Sequence, residues 1–482
     1  MTLDPIPWAT LYWASEWIVR VAALALVPRR RSAESARAWL LLILFLPWPG
    51  AIAYLLIGRA YLPRRRLALE TQMRATIARV APPMPAGVAR AWSRGAGDDA
   101  PALVLAQRLS EFQPSSGNAF ELLPDYLPAL QRLAQDIDAA TRVVHLLYYI
   151  FAADAAGRVI AEALVRAARR GVAVRVLMDA IGSRDGLRRL GPDLRAAGVE
   201  VVPVMPLRLW GHNAMRLDLR NHRKIAVIDG AVAYFGSQNV VAPDANRGLT
   251  NEELAVRATG PIVRHLDALL LADRFLETRT LPPEADLATP WTDTGAPGVP
   301  GALAQVLPSG PGYAEGTAEA VMIALMYGAS TRVVLTAPYV VPNSAFLAAM
   351  CTAARRGVEV RLIVDKASNK PIVQLAQASY YDEMLAAGVT ILQHRGSFLH
   401  AKHMSVDDDT VLIGSSNLDI RSFALNAEVS VLIRDAAVAR QLREVQARDT
   451  LDAEPVTADA RAAVSPMRRA LENLARLTDA VL

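Results

Sequence analysis

The strongest constraint on this chain is that it repeats itself. Ala167-Ala168-Arg169-Arg170-Gly171-Val172 continues to Val174-Arg175-Val176-Leu177, and Ala353-Ala354-Arg355-Arg356-Gly357-Val358 continues to Val360-Arg361-Leu362-Ile363. Ala196-Ala197-Gly198-Val199 answers Ala386-Ala387-Gly388-Val389, and the offsets between copies run from 175 to 190 residues. Self-similarity of this kind must be read before any single motif, because it sets the architecture. Each copy has the same order. An apolar strand (Arg142–Phe151; Arg332–Val341) precedes a helix that ends in Arg-Arg-Gly, basic residues in the last turn with glycine beyond the cap. A short buried strand follows (Val172–Met178; Val358–Val364). Strands alternating with helices predict a parallel or mixed sheet covered on both faces, one α/β domain per copy.

A second repetition carries the chemistry. Asn221-His222-Arg223-Lys224 leads to Asp229, and Leu399-His400-Ala401-Lys402 leads to Asp407; both read His-x-Lys with Asp five residues after the Lys. Asn239 and Asn417 each stand ten residues after the Asp, and Asn251-Glu252-Glu253 and Asn426-Ala427-Glu428 follow. The chain has 52 basic residues but only four lysines, Lys224, Lys366, Lys370 and Lys402. Half of the lysines lie in the two motifs, where a compact ammonium suits what a planar guanidinium does not.

In a strand, residues two apart face the same side, so His222 with Lys224, and His400 with Lys402, point together. A pseudo-twofold pairing of the copies would bring two imidazoles and two ammoniums into one cleft, a setting for a phosphodiester. Lys224, Lys402, Asn239 and Asn417 would hold the non-bridging oxygens and the charge of the transition state. One neutral histidine can attack phosphorus and form a covalent intermediate. The other, protonated, can donate to the leaving oxygen and then activate the incoming alcohol or water. The residues alone do not rank the two histidines. Glu253 and Glu428 are placed to bond the far ring nitrogens and set the tautomer. Asp229 and Asp407 belong to the catalytic motif, yet suit its turn and lysine better than proton transfer. The cationic groups make a metal unnecessary, and no ligand cluster is evident. His145, His212, His265, His394 and His403 lack metal-ligand spacing and read as structural or surface residues. The single cysteine, Cys351, excludes an intrachain disulfide.

The apolar excess, 52% hydrophobic residues, gathers at the N-terminus. Trp8–Val27 is apolar apart from a few positions such as Glu16 and Arg20, which can pair four apart on a helix. Ala38–Ile57 has no charged residue and is long enough to span a bilayer, with Pro47-Trp48-Pro49-Gly50 predicting a kink or a break into half-helices. No basic residue precedes Arg20, which argues against a cleavable signal peptide. The expected organisation is an N-terminal membrane region of two hydrophobic helices in residues 1–66 and a linker over 67–116, whose Pro-, Gly- and Ala-rich part Ala81–Ser116 reads as linker followed by a short helix. A first α/β domain over 117–285 and a second over 300–482, with a closing amphipathic helix, complete it.

The paired His-x-Lys-x4-Asp motifs resemble those of the phospholipase D superfamily, and the whole chain looks most like its bacterial cardiolipin synthases. Besides the motifs, Tyr148-Tyr149-Ile150-Phe151, Pro308-Ser309-Gly310-Pro311 and Thr336-Ala337-Pro338-Tyr339 are similar. The most specific stretch runs from Gly414-Ser415-Ser416-Asn417-Leu418-Asp419 through Arg421 to Glu428. The resemblance implies two phospholipase D-like α/β domains related by a pseudo-twofold axis, no cofactor, and transfer between two phosphatidylglycerols to give cardiolipin and glycerol. It assigns the nucleophile to His222 and the acid/base to His400. It implies a bacterial inner-membrane protein, with the catalytic domains read as cytoplasmic. One chain holds both motifs, so an oligomer is not required. Leu147 and Gln238 depart from the family pattern. A hydrolytic phosphodiesterase acting on phospholipids is the alternative. A nuclease fits less well, since no basic patch is interleaved with aromatics and nucleic acid is not an expected partner. Both motifs are intact, which argues against a non-catalytic scaffold.

Overall fold

Each half forms seven strands in one order, where its repeated apolar runs lie. The computed structural model describes residues 8–29, 33–58, 64–80, 86–93, 100–207, 219–245, 248–282, 301–313, 316–366 and 370–477. The first half contributes β1 (Ser115–Leu123), β2 (Val143–Tyr148), β3 (Ala173–Asp179), β4 (Glu200–Val204), β5 (Lys224–Ile228), β6 (Val232–Gly236) and β7 (Ala255–Thr259). The second contributes β8 (Ala302–Ser309), β9 (Arg332–Ala337), β10 (Glu359–Asp365), β11 (Thr390–His394), β12 (His403–Val406), β13 (Thr410–Gly414) and β14 (Glu428–Arg434). All join one 15-stranded sheet in the order β15-β11-β10-β9-β12-β13-β14-β8-β1-β7-β6-β5-β2-β3-β4, where β15 is Glu454–Pro455.

Read outward from β8 and β1, the two halves list corresponding strands. The seam itself is antiparallel, with Ser115 opposite Ala304, Asn118 opposite Ala302 and a bulge between them. A twofold axis through the seam produces this order. On each side, β2–β3–β4 and β9–β10–β11 run parallel. Parallel neighbours need a crossover. Helices Ala155–Arg169 and Ser344–Arg355 supply it, each N-capped by a short polar side chain: Asp154 accepts from Gly157 N and Asn343 from Phe346 N. Each ends at the predicted Arg-Arg-Gly, with Gly171 at φ +89° and Gly357 at φ +91°, a conformation that favours glycine.

One sheet face is covered by helices Ile262–Thr278 and Ala436–Leu451 over a core shared by both halves, in which Leu147, Val227 and Leu266 join Val306, Val431 and Leu442. The other face carries two separate cores, one per half. The shared core fixes the halves relative to each other.

The expected second membrane helix is broken. The N-terminal region holds α1 (Trp8–Leu26), α2 (Ala33–Phe45) and α3 (Pro47–Ile57). Proline at the start of α3 has no amide hydrogen to continue the ladder, and Gly50 lets α3 fold back so closely that a Cβ there would meet Ile43 Cα at 2.9 Å. Ala23, Val27, Ala36, Trp39 and Ile43 form a small core, and Glu16 and Arg20 make the expected ion pair at 3.3 Å. Trp8, Trp13, Trp17, Ile18, Phe45 and Ile52 remain exposed. Among the described residues no helix is long and apolar enough to cross a membrane.

Residues 67–116, expected as a linker, carry α4 (Arg64–Val80), α5 (Ala86–Ser93) and α6 (Ala100–Leu109). Met73 of α4 is buried in the shared core, while Trp92 and Leu103 are buried in the second half's core. The Pro- and Gly-rich composition hid these contacts. The C-terminal helix Pro466–Arg476 turns its polar side inward, where Glu472 is buried against Arg461 at 2.8 Å and Arg468 at 3.2 Å. Met467, Leu471 and Leu474 face outward.

Candidate active site

The two motifs meet because each half's chain is hydrogen-bonded to the other just ahead of its histidine. His222 N donates to Ala427 O at 2.8 Å, and Ala427 N to Arg220 O at 2.9 Å. Phe398–Leu399 pairs in parallel with Asn251–Glu252, and His400 N donates to Glu252 O at 2.7 Å. The glutamate that follows each of these segments therefore lies beside the opposite half's histidine. His222 Nδ1 is 3.0 Å from Glu428 Oε2, and His400 Nδ1 is 2.7 Å from Glu253 Oε1. Each Nε2 is left for chemistry. The sequence pointed to these glutamates but not to their exchange between halves.

Alternation turns Arg223 away from the cleft. It is fully buried, its Nη1 bonded to both oxygens of Asp273 at 2.6 Å and its Nε to Glu428 O at 3.0 Å. Lys224 Nζ donates to His222 O and Lys402 Nζ donates to His400 O at 2.6 Å, which leaves each ammonium further hydrogens. Asn239 Oδ1 accepts from Ile150 N at 3.1 Å, while Asn417 Oδ1 is buried with no partner among the described residues. Rings also brace the histidines: Tyr149 lies 4.7 Å from the His222 ring, and Phe398 stacks on His400 at 5.6 Å.

A cavity of about 660 Å³ opens between the halves, lined by His222, His400, Asn239, Asn417 and Glu253 among others. Burial, reinforced by the charges of Lys224 and Lys402, holds the His222 imidazole well below its ordinary pKa. Burial also lowers His400, but there the Glu253 carboxylate pulls the other way. Burial brings Lys224 down to about 7 and Lys402 to about 8, against the pull of nearby glutamates. It lifts Glu428 to about 7, opposed mainly by Lys224. His222 is thus the more strongly neutral imidazole, while at His400 the Glu253 carboxylate offsets part of the effect of burial.

The motif aspartates do not reach this cavity. Asp229 sits at φ +54° in the β5–β6 turn and accepts from Thr141 N, Arg142 N and Val143 N at 2.8–2.9 Å. Asp407, at φ +48°, does the same for Ser330 N, Thr331 N and Arg332 N. Burial would raise each carboxyl, but these amides outweigh it and hold both below the usual range. Their place is to tie each hairpin to the start of the neighbouring strand, in the turn the sequence suggested but with backbone amides as partners. Asp229→Ala or Asp407→Ala is expected to lower stability by about 1–3 kcal/mol through the lost amide bonds, with turnover held within about tenfold. Thermal melts beside turnover decide this; a loss of turnover with an unchanged melt would place the carboxylates in the chemistry.

Asp179 and Asp365 were not singled out from the sequence. Asp179 Oδ2 accepts from Asn221 N at 3.1 Å, and Asp365 Oδ1 from Leu399 N at 3.0 Å. Each thereby fixes the residue before a catalytic histidine. The signal was present in the repeated strands, which both end in Asp. Arg220, Tyr149 and Lys370 also line the cavity, as do Tyr339, Arg421 and Ser422. Leu147 is core, and Gln238 is buried with its amide on Tyr126 O at 2.8 Å, so neither departure from the family pattern enters the cavity lining. His145 bonds Asp267 at 2.7 Å and His394 bonds Asp449 O at 2.8 Å. His403 is buried and His265 half-buried, both outside the cavity lining, and His212 lies outside the described residues. Among the described residues no group of three or more His, Cys, Asp or Glu could hold a metal ion.

A sheet doubled about a twofold axis, with each half's His-x-Lys motif bringing its histidine to a common cleft while Lys224 and Lys402 lie buried outside the lining, defines a phospholipase D-like protein. Residues 133–272 and 322–450 match the family described as cardiolipin synthase, PLD-like domain, and residues 18–59 match the phospholipase D-nuclease N-terminal family. Cardiolipin synthase A of Yersinia pseudotuberculosis is 34% identical over 92% of this chain and 91% of its own length. Cardiolipin synthase A of Pectobacterium carotovorum is 35% identical over 90% of each. The phosphatidylserine synthase of Haemophilus influenzae shares the fold, with a TM-score of 0.60 over 80% of this chain and all of its own at 14% identity. The chain belongs to the cardiolipin synthase family of phospholipase D-type phosphatidyltransferases.

Proposed function

We propose that this chain joins two phosphatidylglycerols into cardiolipin and glycerol through a phosphatidyl-histidine on His222, without a metal. The observation that carries this reading is the pair of imidazoles on one cavity, each with Nδ1 held by the opposite half's glutamate. His222 Nε2 attacks phosphorus and the bond to the leaving glycerol oxygen breaks. His400, protonated, gives that oxygen its proton, and glycerol departs. The hydroxyl of a second phosphatidylglycerol then loses its proton to His400 and attacks phosphorus, and the phosphorus–nitrogen bond breaks. His222 is regenerated neutral and His400 protonated. Lys224, Lys402, Asn239 and Asn417 offset the charge on the non-bridging oxygens in both steps.

The asymmetry of the two histidines supports this assignment, since burial and lysine charge favour neutral His222 while Glu253 favours charged His400. The exposed aromatic and aliphatic side chains of α1–α3 support attachment of the N-terminal region to the bacterial inner membrane. Detergent-solubilised protein given phosphatidylglycerol, without nucleotide, should release glycerol and form cardiolipin. Phosphatidic acid without cardiolipin would replace this reading by that of a hydrolase.

A further inference from the structure

The two His-Lys pairs account for one phosphate, whereas the proposed reaction brings two. The acceptor phosphatidylglycerol carries its own phosphodiester, which does not react and must still be accommodated. The reacting phosphate has two non-bridging oxygens, and Lys224, Lys402, Asn239 and Asn417 are enough to surround them. The cavity nevertheless has further cations in Arg220, Arg421 and Lys370.

Arg220 is the most telling. It is only 5% exposed yet lines the cavity. Its Nη1 donates to Met205 O at 3.0 Å and lies 3.5 Å from Asp179 Oδ1. Its Nε and Nη2 are buried and meet no acceptor among the described residues. Asp179 does not satisfy them, because its oxygens already receive the amides of Ile181, Gly182 and Asn221. A buried guanidinium with two unmet donors is costly, and an anionic ligand removes that cost. Arg421 and Lys370 line the same cavity, together with the carboxylates of Asp419 and Glu253. Lys370 Nζ, from the second half, lies 4.6 Å over the Tyr339 ring.

We propose that Arg220, together with Arg421 and Lys370, forms a second phosphate site that holds the unreacting phosphodiester of the acceptor lipid. This rests on the transphosphatidylation reading and adds to it the basis of acceptor choice: an alcohol that carries an anionic phosphodiester is drawn in ahead of an uncharged one or water.

The test compares two acceptors for one donor. Full-length protein in detergent is given phosphatidylglycerol with labelled glycerol; cardiolipin formation uses an acceptor with a second phosphate, and label exchange into phosphatidylglycerol uses one without. Arg220→Gln is expected to lower the ratio of cardiolipin formation to glycerol exchange about tenfold or more, the scale of a lost charge-assisted bond. Lys370→Gln, on the other half and away from Asp179, should lower the same ratio about threefold or more. An unchanged ratio in both variants overturns the proposal, including the case where both reactions fall together because the donor site is disturbed. Failure of the underlying reading shows instead in the wild-type protein, as no exchange and no cardiolipin, and the second site falls with it.

Discussion

Replacing either His222 or His400 by alanine is expected to lower cardiolipin formation at least about a thousandfold, and the double variant should be little worse than either single one. The losses do not add because the two rings act on the same bond, one forming a bond to phosphorus and one protonating the oxygen that leaves. The fold should survive. Glu428, left behind by His222→Ala, keeps the Ser415 hydroxyl at 2.5 Å, and Glu253 loses one bond at the cavity edge. Circular dichroism and thermal melts should therefore match the parent protein closely. The variants separate the roles when a donor labelled at phosphorus is used and the reaction is stopped by denaturation at alkaline pH, where a phosphorus–nitrogen bond on histidine persists. His400→Ala should accumulate label slowly on the protein, and His222→Ala should carry none. The reverse pattern would exchange the roles, and turnover within tenfold of wild type in either variant would sink the two-histidine mechanism.

The sequence made the halves legible because duplication repeats local signals. Gly171, Gly357 and the buried strands β3 and β10 lie where capping and alternation place them, whereas the His-x-Lys pairs stand at or just ahead of the first residue of β5 and β12 and not within a strand. What it did not disclose depends on contacts between halves. Glu428 lies 206 residues from His222, and Glu253 lies 147 from His400, so no spacing rule within one half pairs them. The exchange arises from the main-chain bonds of His222 to Ala427 and of His400 to Glu252, which exist only once both sheets share the β1–β8 seam. Arg220 was passed over for a related reason. One arginine among 48 carries no signal in a chain that uses arginine nearly everywhere, and its unmet donors appear only when its surroundings are counted. Of the helices α4–α6 only one short helix was legible, since Pro and Gly around them read as linker while Met73 and Trp92 were finding core.

Glu253→Gln and Glu428→Gln should both damage the enzyme, but in different ways. Glu253 supports the charged form of His400 against burial and the charge of Lys402. Removing its charge lowers that histidine further, so less of it is protonated at any pH above the new value. Cardiolipin formation should fall about a hundredfold at neutral pH, within the usual reach of a general acid. The sign follows from the direction of the shift: protonated His400 predominates below its pKa and is lost as pH rises through it, so the deficit shrinks as the assay is acidified. It should also shrink for a donor with a nitrophenyl leaving group, whose oxygen departs without a proton. Glu428→Gln acts on a ring that is already neutral. What it loses is the tautomer: a glutamine amide can donate to Nδ1 and leave the hydrogen on Nε2, where the attacking lone pair should be. That loss should approach a thousandfold, as for an amide replacing the carboxylate behind a catalytic histidine. Neither acid pH nor a better leaving group should relieve it. Equal responses of the two variants to pH and leaving group would mean that the imidazoles are interchangeable. Divergent responses would mean that one doubled fold, although it gives each histidine a carboxylate from the opposite half, uses the two rings differently.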